Sequence, residues 1–539
     1  MHIFSRLKSP DVLTVSLWVI IIGGAIVRYV GLDFGLPLTV QSDEGTTVDA
    51  AIGMVERRSF EPDRFQWPNH LGAMGTYLAL VFITPLVHGM LVEQAINEIE
   101  IGYFFLVGRF VTATFGVISI VLAYFIGKRF NRSIGVFAAA FIAFFPQYVQ
   151  HSHYATPDVG LTAAVLAAIL AGMVYIDKPT FGNMLVMSAT SAVAILAKYP
   201  GALTTSIIAA AIIATAIRDK QWTRIFSHGA PSVFFVGLFL FILSPVLFTH
   251  RAQVINSLSN ESRGTHLGAD GMNFPEKLEF YASHFLNVGG VLLVLFAVAG
   301  LWYLVRNPRL AAIPLGIGIV FWVALSTLGL QWNRWALPMY VTPLLLAAIG
   351  AYFILEAART RWQSRRAVKA VAAGVVGLVL LTQVVGSVAA SAVFLRDDTR
   401  VLALNDFEAR GITEENTAYE GYTPFRPRHF DTVFDEIGEW DGRLIPIDPE
   451  VSYVLLSSSM FGRFQREADR YVDENRFYDM LDEQYELLEV IQSYNPRFSL
   501  PFSNFRLVGH VASIANTALG AETGPTMRLY KVPSDIRTN

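Results

Sequence analysis

Long apolar runs separated by short polar breaks fill residues 12–396, and the pattern then changes to short mixed segments. Runs at 12–30, 102–127, 134–150, 158–176, 182–198, 201–217, 230–248, 285–305, 311–330, 335–356 and 368–396 each have the length and apolarity of a membrane-spanning helix. They predict a multi-span α-helical membrane protein of about eleven spans. Residues 1–9 carry Arg6 and Lys8 ahead of the first run; the run is long and has no small-residue cleavage pattern, so it is expected as a retained span. Beyond 396 the periods shorten. Residues 451–456 read as a buried strand, 467–491 as a charged helix, and 505–511 and 526–532 as later strands. A small C-terminal α/β domain over 397–539 is expected.

Basic residues orient the spans. With the N-terminus inside, Lys128, Arg129 and Arg132, then Lys178, then Arg218, Lys220 and Arg224, then Arg306 and Arg309, and finally Arg359, Arg361, Arg365, Arg366 and Lys369 all fall on one face. The odd count puts 397–539 on the opposite, extracytoplasmic side of a cell membrane. Residues 69–92 are apolar enough to span but would invert every later loop, so they are expected as a juxtamembrane or re-entrant helix within a long external loop, 31–101. The external face then collects that loop, the turn 151–157, the hairpin at Lys198, loop 249–284, the turn 331–334 and the tail.

Composition agrees: the 539 residues are 53% hydrophobic and 16% charged, where a soluble chain carries about a quarter charged. A net charge of −3 gives no reason to expect nucleic acid as a partner. Without cysteine there is no disulfide framework, thiolate nucleophile or thiolate metal site.

Candidate chemistry lies on the external face. Asp43 and Glu44 open an apparent amphipathic helix, 43–56, with Val48, Ala51, Ile52 and Val55 on one side. Acidic residues suit a first helical turn, but the pair also suits a general base beside a like charge that raises its pKa. In His151-Ser-His-Tyr-Ala-Thr-Pro-Asp158, capping by Thr156, Pro157 and Asp158 competes with an acidic site on the same face as Asp43. His151 and His153 could hold a metal only weakly, because i and i+2 point apart on a helix; no metal or cofactor is expected. Lys198, followed by Tyr199, and Arg109 sit within apolar stretches, where a charge usually faces the bundle with a partner. Arg334, between Trp332 and Trp335, breaks the positive-inside pattern and suits an interfacial anchor or an anion clamp. In loop 249–284, a candidate lid, Glu261, Arg263 and His266 are further candidates. Carboxylates plus isolated cations at one membrane face suggest a lipid phosphate as leaving group.

The stretches VRYVGLDFGLPLTVQSDEGTTVDAA, LVGRFVTATFG, FFPQYVQHSHYATPDVGLTAAVL, AILAKYPGAL, NRWALPMYVTPLLLAAIG and DDTR at 397–400 run in one order over about the first 400 residues. In that order the chain resembles the GT-C superfamily of integral membrane glycosyltransferases, in the branch of protein O-mannosyltransferases and aminoarabinose transferases of lipid A. The resemblance implies a polyprenyl-phosphate sugar donor used outside the cytoplasm with inversion at the anomeric carbon. It implies Asp43 as base, with Glu44 and Asp158 as the family's other acidic positions and Lys198 and Arg334 as phosphate-facing or structural cations. Arg109, Tyr199, His153, His266 and Arg263 join them as substrate-binding candidates. The sugar-binding domains of eukaryotic O-mannosyltransferases are not recognisable, so the acceptor stays open among lipid, glycan and protein. The competing expectation is a transporter or flippase of lipid-linked glycans, with intramembrane charges along a pathway; a scaffold that uses the tail to bind a glycan or protein is a third.

Overall fold

The computed structural model describes residues 11–65, 69–492, 514 and 524–534; the strand expected at 505–511 lies outside them. The chain runs α1 (Val12–Tyr29), α2 (Gly45–Glu56), α3 (His70–His88), α4 (Val92–Glu98), α5 (Ile101–Lys128), α6 (Arg132–Ala143), α7 (Pro146–His151), α8 (Pro157–Asp177), α9 (Phe181–Ala197), α10 (Thr205–Asp219), α11 (Ala230–Leu243), α12 (Val246–Thr249) and α13 (Arg251–Glu261). It continues through α14 (Phe274–Gly289), α15 (Val291–Arg306), α16 (Ile317–Ser326), α17 (Leu337–Arg361) and α18 (Arg366–Ala392) into the tail. Eight helices among the described residues have the length and apolarity to cross a membrane, α3 included, and α14 with α15 forms a bent ninth. Three shorter apolar helices, Arg132–Ala143, Phe181–Ala197 and Leu310–Ser326, complete the set. The chain is an integral membrane protein.

Helix α8 is the centre: it is apolar all round and buried along almost its whole length, the signature of a helix enclosed by others. Around it, small residues let helices meet at backbone distance. A Cβ on Gly300 would strike the Leu346 carbonyl, and one on Gly350 the Phe296 carbonyl, so α15 and α17 cross in direct contact.

Three expected spans are broken; the run at 230–248 is interrupted at Ser244 and Pro245, between α11 and α12. The run at 134–150 splits where Pro146 starts α7, because proline cannot continue α6. The run at 285–305 is part of a longer element that begins at Phe274, with Asn273 and Glu276 closing a capping box, and bends by 110° between α14 and α15. Gly290, at φ +79°, supplies the turn. Loop 249–284 is correspondingly helical except for His250 and residues 262–273. Helix α2 buries Ala50 and Met54 as well as Val48, Ala51 and Val55, so it is enclosed rather than amphipathic.

The tail comprises α19 (Thr399–Arg410), β1 (Thr417–Tyr419), β2 (Ile437–Trp440), β3 (Arg443–Pro446), β4 (Tyr453–Ser457), α20 (Phe461–Arg466), α21 (Val472–Gln484), β5 (Glu486–Ile491) and β6 (Met527–Lys531). Its main sheet has the order β1-β4-β6-β5, with β1 parallel to β4 and β6 antiparallel to both neighbours; β2 and β3 form a separate hairpin. The apolar run of β4 fits its central, buried place. The charged stretch 467–491, expected as one helix, is instead helix α21 followed by the largely exposed edge strand β5.

Candidate active site

Asp43 lies in a 3₁₀ turn, Ser42–Glu44, just ahead of α2. The segment that delivers it is fixed from behind. Arg109, fully buried in α5, makes a bidentate pair with Glu44, Nε to Oε1 and Nη2 to Oε2, both at 2.8 Å. Its Nη1 donates to the carbonyls of Leu32 and Phe34, each at 2.8 Å, and its guanidinium lies 3.9 Å from the Phe34 ring centroid. Glu44 Oε1 also accepts the Ala155 amide at 3.0 Å, and Thr47 Oγ1 donates to the Ala155 carbonyl at 2.6 Å. One buried ion pair thus ties the Asp43 segment, α5 and the turn before α8 together. With four of the five Arg109 donors and both Glu44 oxygens engaged, it meets the condition under which a buried pair is tolerated.

Asp43 itself turns the other way and pairs with Arg334. Arg334 sits in a second 3₁₀ turn, Asn333–Ala336. That turn is held against α7 by Gln147 Nε2 donating to the Asn333 carbonyl at 2.9 Å and the Tyr148 hydroxyl donating to the Leu337 carbonyl at 2.7 Å.

Two cavities meet at this pair. The first, about 690 Å³, has a wall of membrane-helix side chains including Pro146, Val288, Ala390, Val393 and Phe394, with polar groups at Gln147, His151 and His284. The second, about 500 Å³, is lined by Ser42, Asp43, Glu261, Arg263, His266, Tyr422, Ser458, Ser459 and Arg463. Val40, Gln41, Trp332, Arg334, Arg400 and Gly524 border both. The first has a mixed wall with the larger apolar share, and the second is lined mainly by polar and charged groups.

The structure brings Asp43, Arg334, Arg263 and His266 to the second cavity and His151 to the first. Glu44 and Arg109 are sealed beneath, with no surface open to a ligand. His153 is buried as well. Its ring nitrogens donate to the carbonyls of Val149 at 2.9 Å or Val30 at 3.0 Å, and it stacks on Phe394 at 4.0 Å. The two histidines therefore do not converge, and no group of three or more His, Asp or Glu suited to a metal occurs among the described residues. Asp158 does not cap α8. It pairs with Lys198 at 2.8 Å, and the Lys198 ammonium lies 5.5 Å from the Trp335 ring, one layer behind the second cavity. The Thr156 side chain makes no capping bond either. The Tyr199 hydroxyl donates to the Phe65 carbonyl at 2.7 Å, away from both cavities.

Two lining arginines come from the tail and were not anticipated as site residues. Arg400 is paired with Asp398 through Nε at 2.7 Å and Nη2 at 2.8 Å, and its Nη1 donates to the Val40 carbonyl at 2.8 Å. The DDTR stretch, one of the family-like segments, was the signal for it. Arg463, on α20, has no such signal: in sequence it is one charge of an ordinary surface-like helix. His266 stands edge-on to Trp332 and Phe430, at 5.3 and 5.4 Å. Burial first, and then the Arg263 and Arg463 guanidinium groups, hold it below the usual histidine range, against the Leu267 carbonyl and Asp270. It stands neutral at neutral pH.

Comparisons with known proteins bear on this geometry. The family model described as dolichyl-phosphate-mannose-protein mannosyltransferase matches residues 96–248, from the end of α4 into α12. Among solved structures, ArnT from Cupriavidus metallidurans in the apo state is 15% identical with a TM-score of 0.50, over 78% of this chain and 86% of that one. The same protein bound to undecaprenyl phosphate is 15% identical with a TM-score of 0.51, over 84% and 95%. No curated protein matches the chain. The fold is the GT-C fold, that of integral membrane glycosyltransferases, as the resemblance in sequence implied.

Proposed function

We propose that this chain is an inverting glycosyltransferase that moves a sugar from a polyprenyl-phosphate donor to an acceptor at the extracytoplasmic face of a cell membrane, with its tail on that side. The observation that carries the reading is the Asp43–Arg334 pair at the meeting point of a partly apolar cavity among the membrane helices and a polar one. The family match and the undecaprenyl phosphate held by the similar ArnT support the donor class.

In this reading the polyprenyl chain lies along α7, α14 and α18 in the first cavity, and its phosphate comes to Arg334. The sugar and acceptor occupy the second cavity. The phosphate draws Arg334 away from Asp43, and the carboxylate then faces the acceptor's O–H or N–H. Asp43 takes that proton as the acceptor atom bonds to the anomeric carbon, while the bond from that carbon to the phosphate oxygen breaks on the opposite face. Polyprenyl phosphate leaves with the electron pair, and Arg334 neutralises its charge. Lys198, neutralised by Asp158 behind Trp335, supports the cavity wall from behind.

The test is turnover of a panel of undecaprenyl-phosphate-linked sugars by purified protein and by Asp43→Asn. Transfer or donor hydrolysis is expected to fall by about 10²–10⁴-fold in the variant, the usual contribution of a general base, with undecaprenyl phosphate still bound. Undiminished turnover removes Asp43 as base. Translocation of the lipid-linked sugar without any sugar transfer would favour the flippase.

A further inference from the structure

The charges lining the second cavity do not balance within the protein. Arg334 is taken by Asp43 and Arg400 by Asp398. Arg263 and Arg463 have no carboxylate within ion-pair distance among the described residues, and Glu261, on the same wall, pairs with neither. Both arginines line only the second cavity, whereas Arg334 borders both. A donor phosphate held at Arg334 does not reach them, and neither Asp43 nor Glu261, the carboxylates on the same wall, makes an ion pair with either.

Their setting is built rather than incidental. The Arg463 guanidinium lies over the Phe430 ring at 4.8 Å and the Tyr422 ring at 5.5 Å. One of its donors is engaged by the Tyr422 side chain, and the remaining edge donors are left for a planar or tetrahedral oxyanion. Arg263 is carried by residues 262–270, which are fastened on both sides. Arg470 Nη1 pairs with Asp270 Oδ1 at 2.7 Å, and the Gly268 amide donates to Glu467 Oε1 at 3.1 Å, both groups belonging to the tail. The Gln331 amide donates to the Ala269 carbonyl at 2.9 Å, and Gln331 Nε2 to the Asp270 carbonyl at 3.1 Å. The same fastening that seats His266 between Trp332 and Phe430 holds the two cations on one cavity.

We propose that Arg263 and Arg463 form a second anion subsite, which takes a carboxylate or phosphate carried by the acceptor or by the transferred sugar. This rests on the glycosyl-transfer reading and narrows it: one of the two reactants bears an acid group besides the donor's phosphate. The tail, through Arg463, then selects substrate as well as covering the cavity.

The test uses the full-length protein in nanodiscs and calorimetric titration with glucose 6-phosphate, glucuronate and glucose, with and without undecaprenyl phosphate. The acidic probes are expected to bind at least tenfold more tightly than glucose. R463A and R263A should each lose at least tenfold for the acids, whereas R410A, outside the cavity, should lose nothing. Arg263 is on an exposed loop, so R263A keeps the test valid if R463A does not fold. Equal binding of acids and glucose, or unchanged affinity in R263A and R463A, overturns the subsite. Competition by the acidic probes with glucuronate-bearing donor or with phosphorylated acceptor then tells which reactant carries the acid, and competition with neither also overturns it. A protein that binds the acidic probes but neither binds undecaprenyl phosphate nor transfers sugar would refute glycosyl transfer while leaving the anion subsite standing.

Discussion

Asp43 and Glu44 are neighbours in sequence, each pairs with an arginine, and the two pairs have opposite characters. The Glu44–Arg109 pair has no exposed surface, whereas Asp43 and Arg334 keep 19% and 21% of theirs. The first is held by hydrogen bonds to three separate segments; the second faces a cavity on either side. The two side chains leave one 3₁₀ turn toward different partners, so one carboxylate anchors the segment and the other lines a cavity. A charge can thus be structural or chemical according to which side of a single turn it leaves from.

The contrast can be broken experimentally from either end. Asp43→Asn should remove the roughly 10²–10⁴-fold contribution to turnover with the melting temperature nearly unchanged. Glu44→Gln should do the reverse. It leaves the buried Arg109 without a counter-charge, a loss of about 3–5 kcal/mol of stability, seen as a lower melting temperature in detergent or as failure to accumulate. Equal loss of stability in the two variants would erase the distinction.

A third buried carboxyl sharpens the comparison because it has no cation. Glu420, in the tail, accepts from the Tyr478 hydroxyl and from the Ser457 amide at 2.8 Å. Burial nevertheless pushes it up to about 8 from an ordinary 4.5. A carboxyl that holds its proton more tightly folded than unfolded stabilises the fold at low pH. That contribution falls as pH rises from about 4.5 and is gone above about 8. Melting temperature should therefore decline between about pH 5 and 8, and Glu420→Gln should flatten that decline. The smallest effect belongs to the Arg57–Asp63 pair, 41% and 51% exposed: Arg57→Ala should change stability by less than about 1 kcal/mol in the same melts.

The sequence disclosed most of the helices, because apolar runs of this length report burial in lipid whatever the tertiary contacts. It disclosed Asp43 and Arg334 as candidates because both are charges in unexpected places. It did not disclose which of two adjacent carboxylates faces the cavity, since that depends on contacts made 65 and 111 residues away, at Arg109 and Ala155. The breaks at Pro146 and Gly290 are local and were passed over because the hydrophobicity on both sides is continuous. The Asp158–Lys198 pair was concealed because Asp158 read as part of a helix start, and the sequence could not name the partner expected for Lys198. Strand β5 was concealed because an exposed edge strand carries charges as a surface helix does. Arg463 shows what periodicity cannot convey: its importance comes only from a tail that folds back over the membrane helices.

Strand β6 occupies an inner position of the tail sheet, between β4 and β5, and the residues leading into it, Gly524 and Pro525, form part of the second cavity's rim. The Pro525 carbonyl accepts from Thr399 at 2.8 Å, stapling this late segment to the first residues after the last membrane helix. The ribosome must therefore travel past codon 531 before that rim can exist. One side of the second cavity is thus supplied by a segment that is made only after every membrane helix.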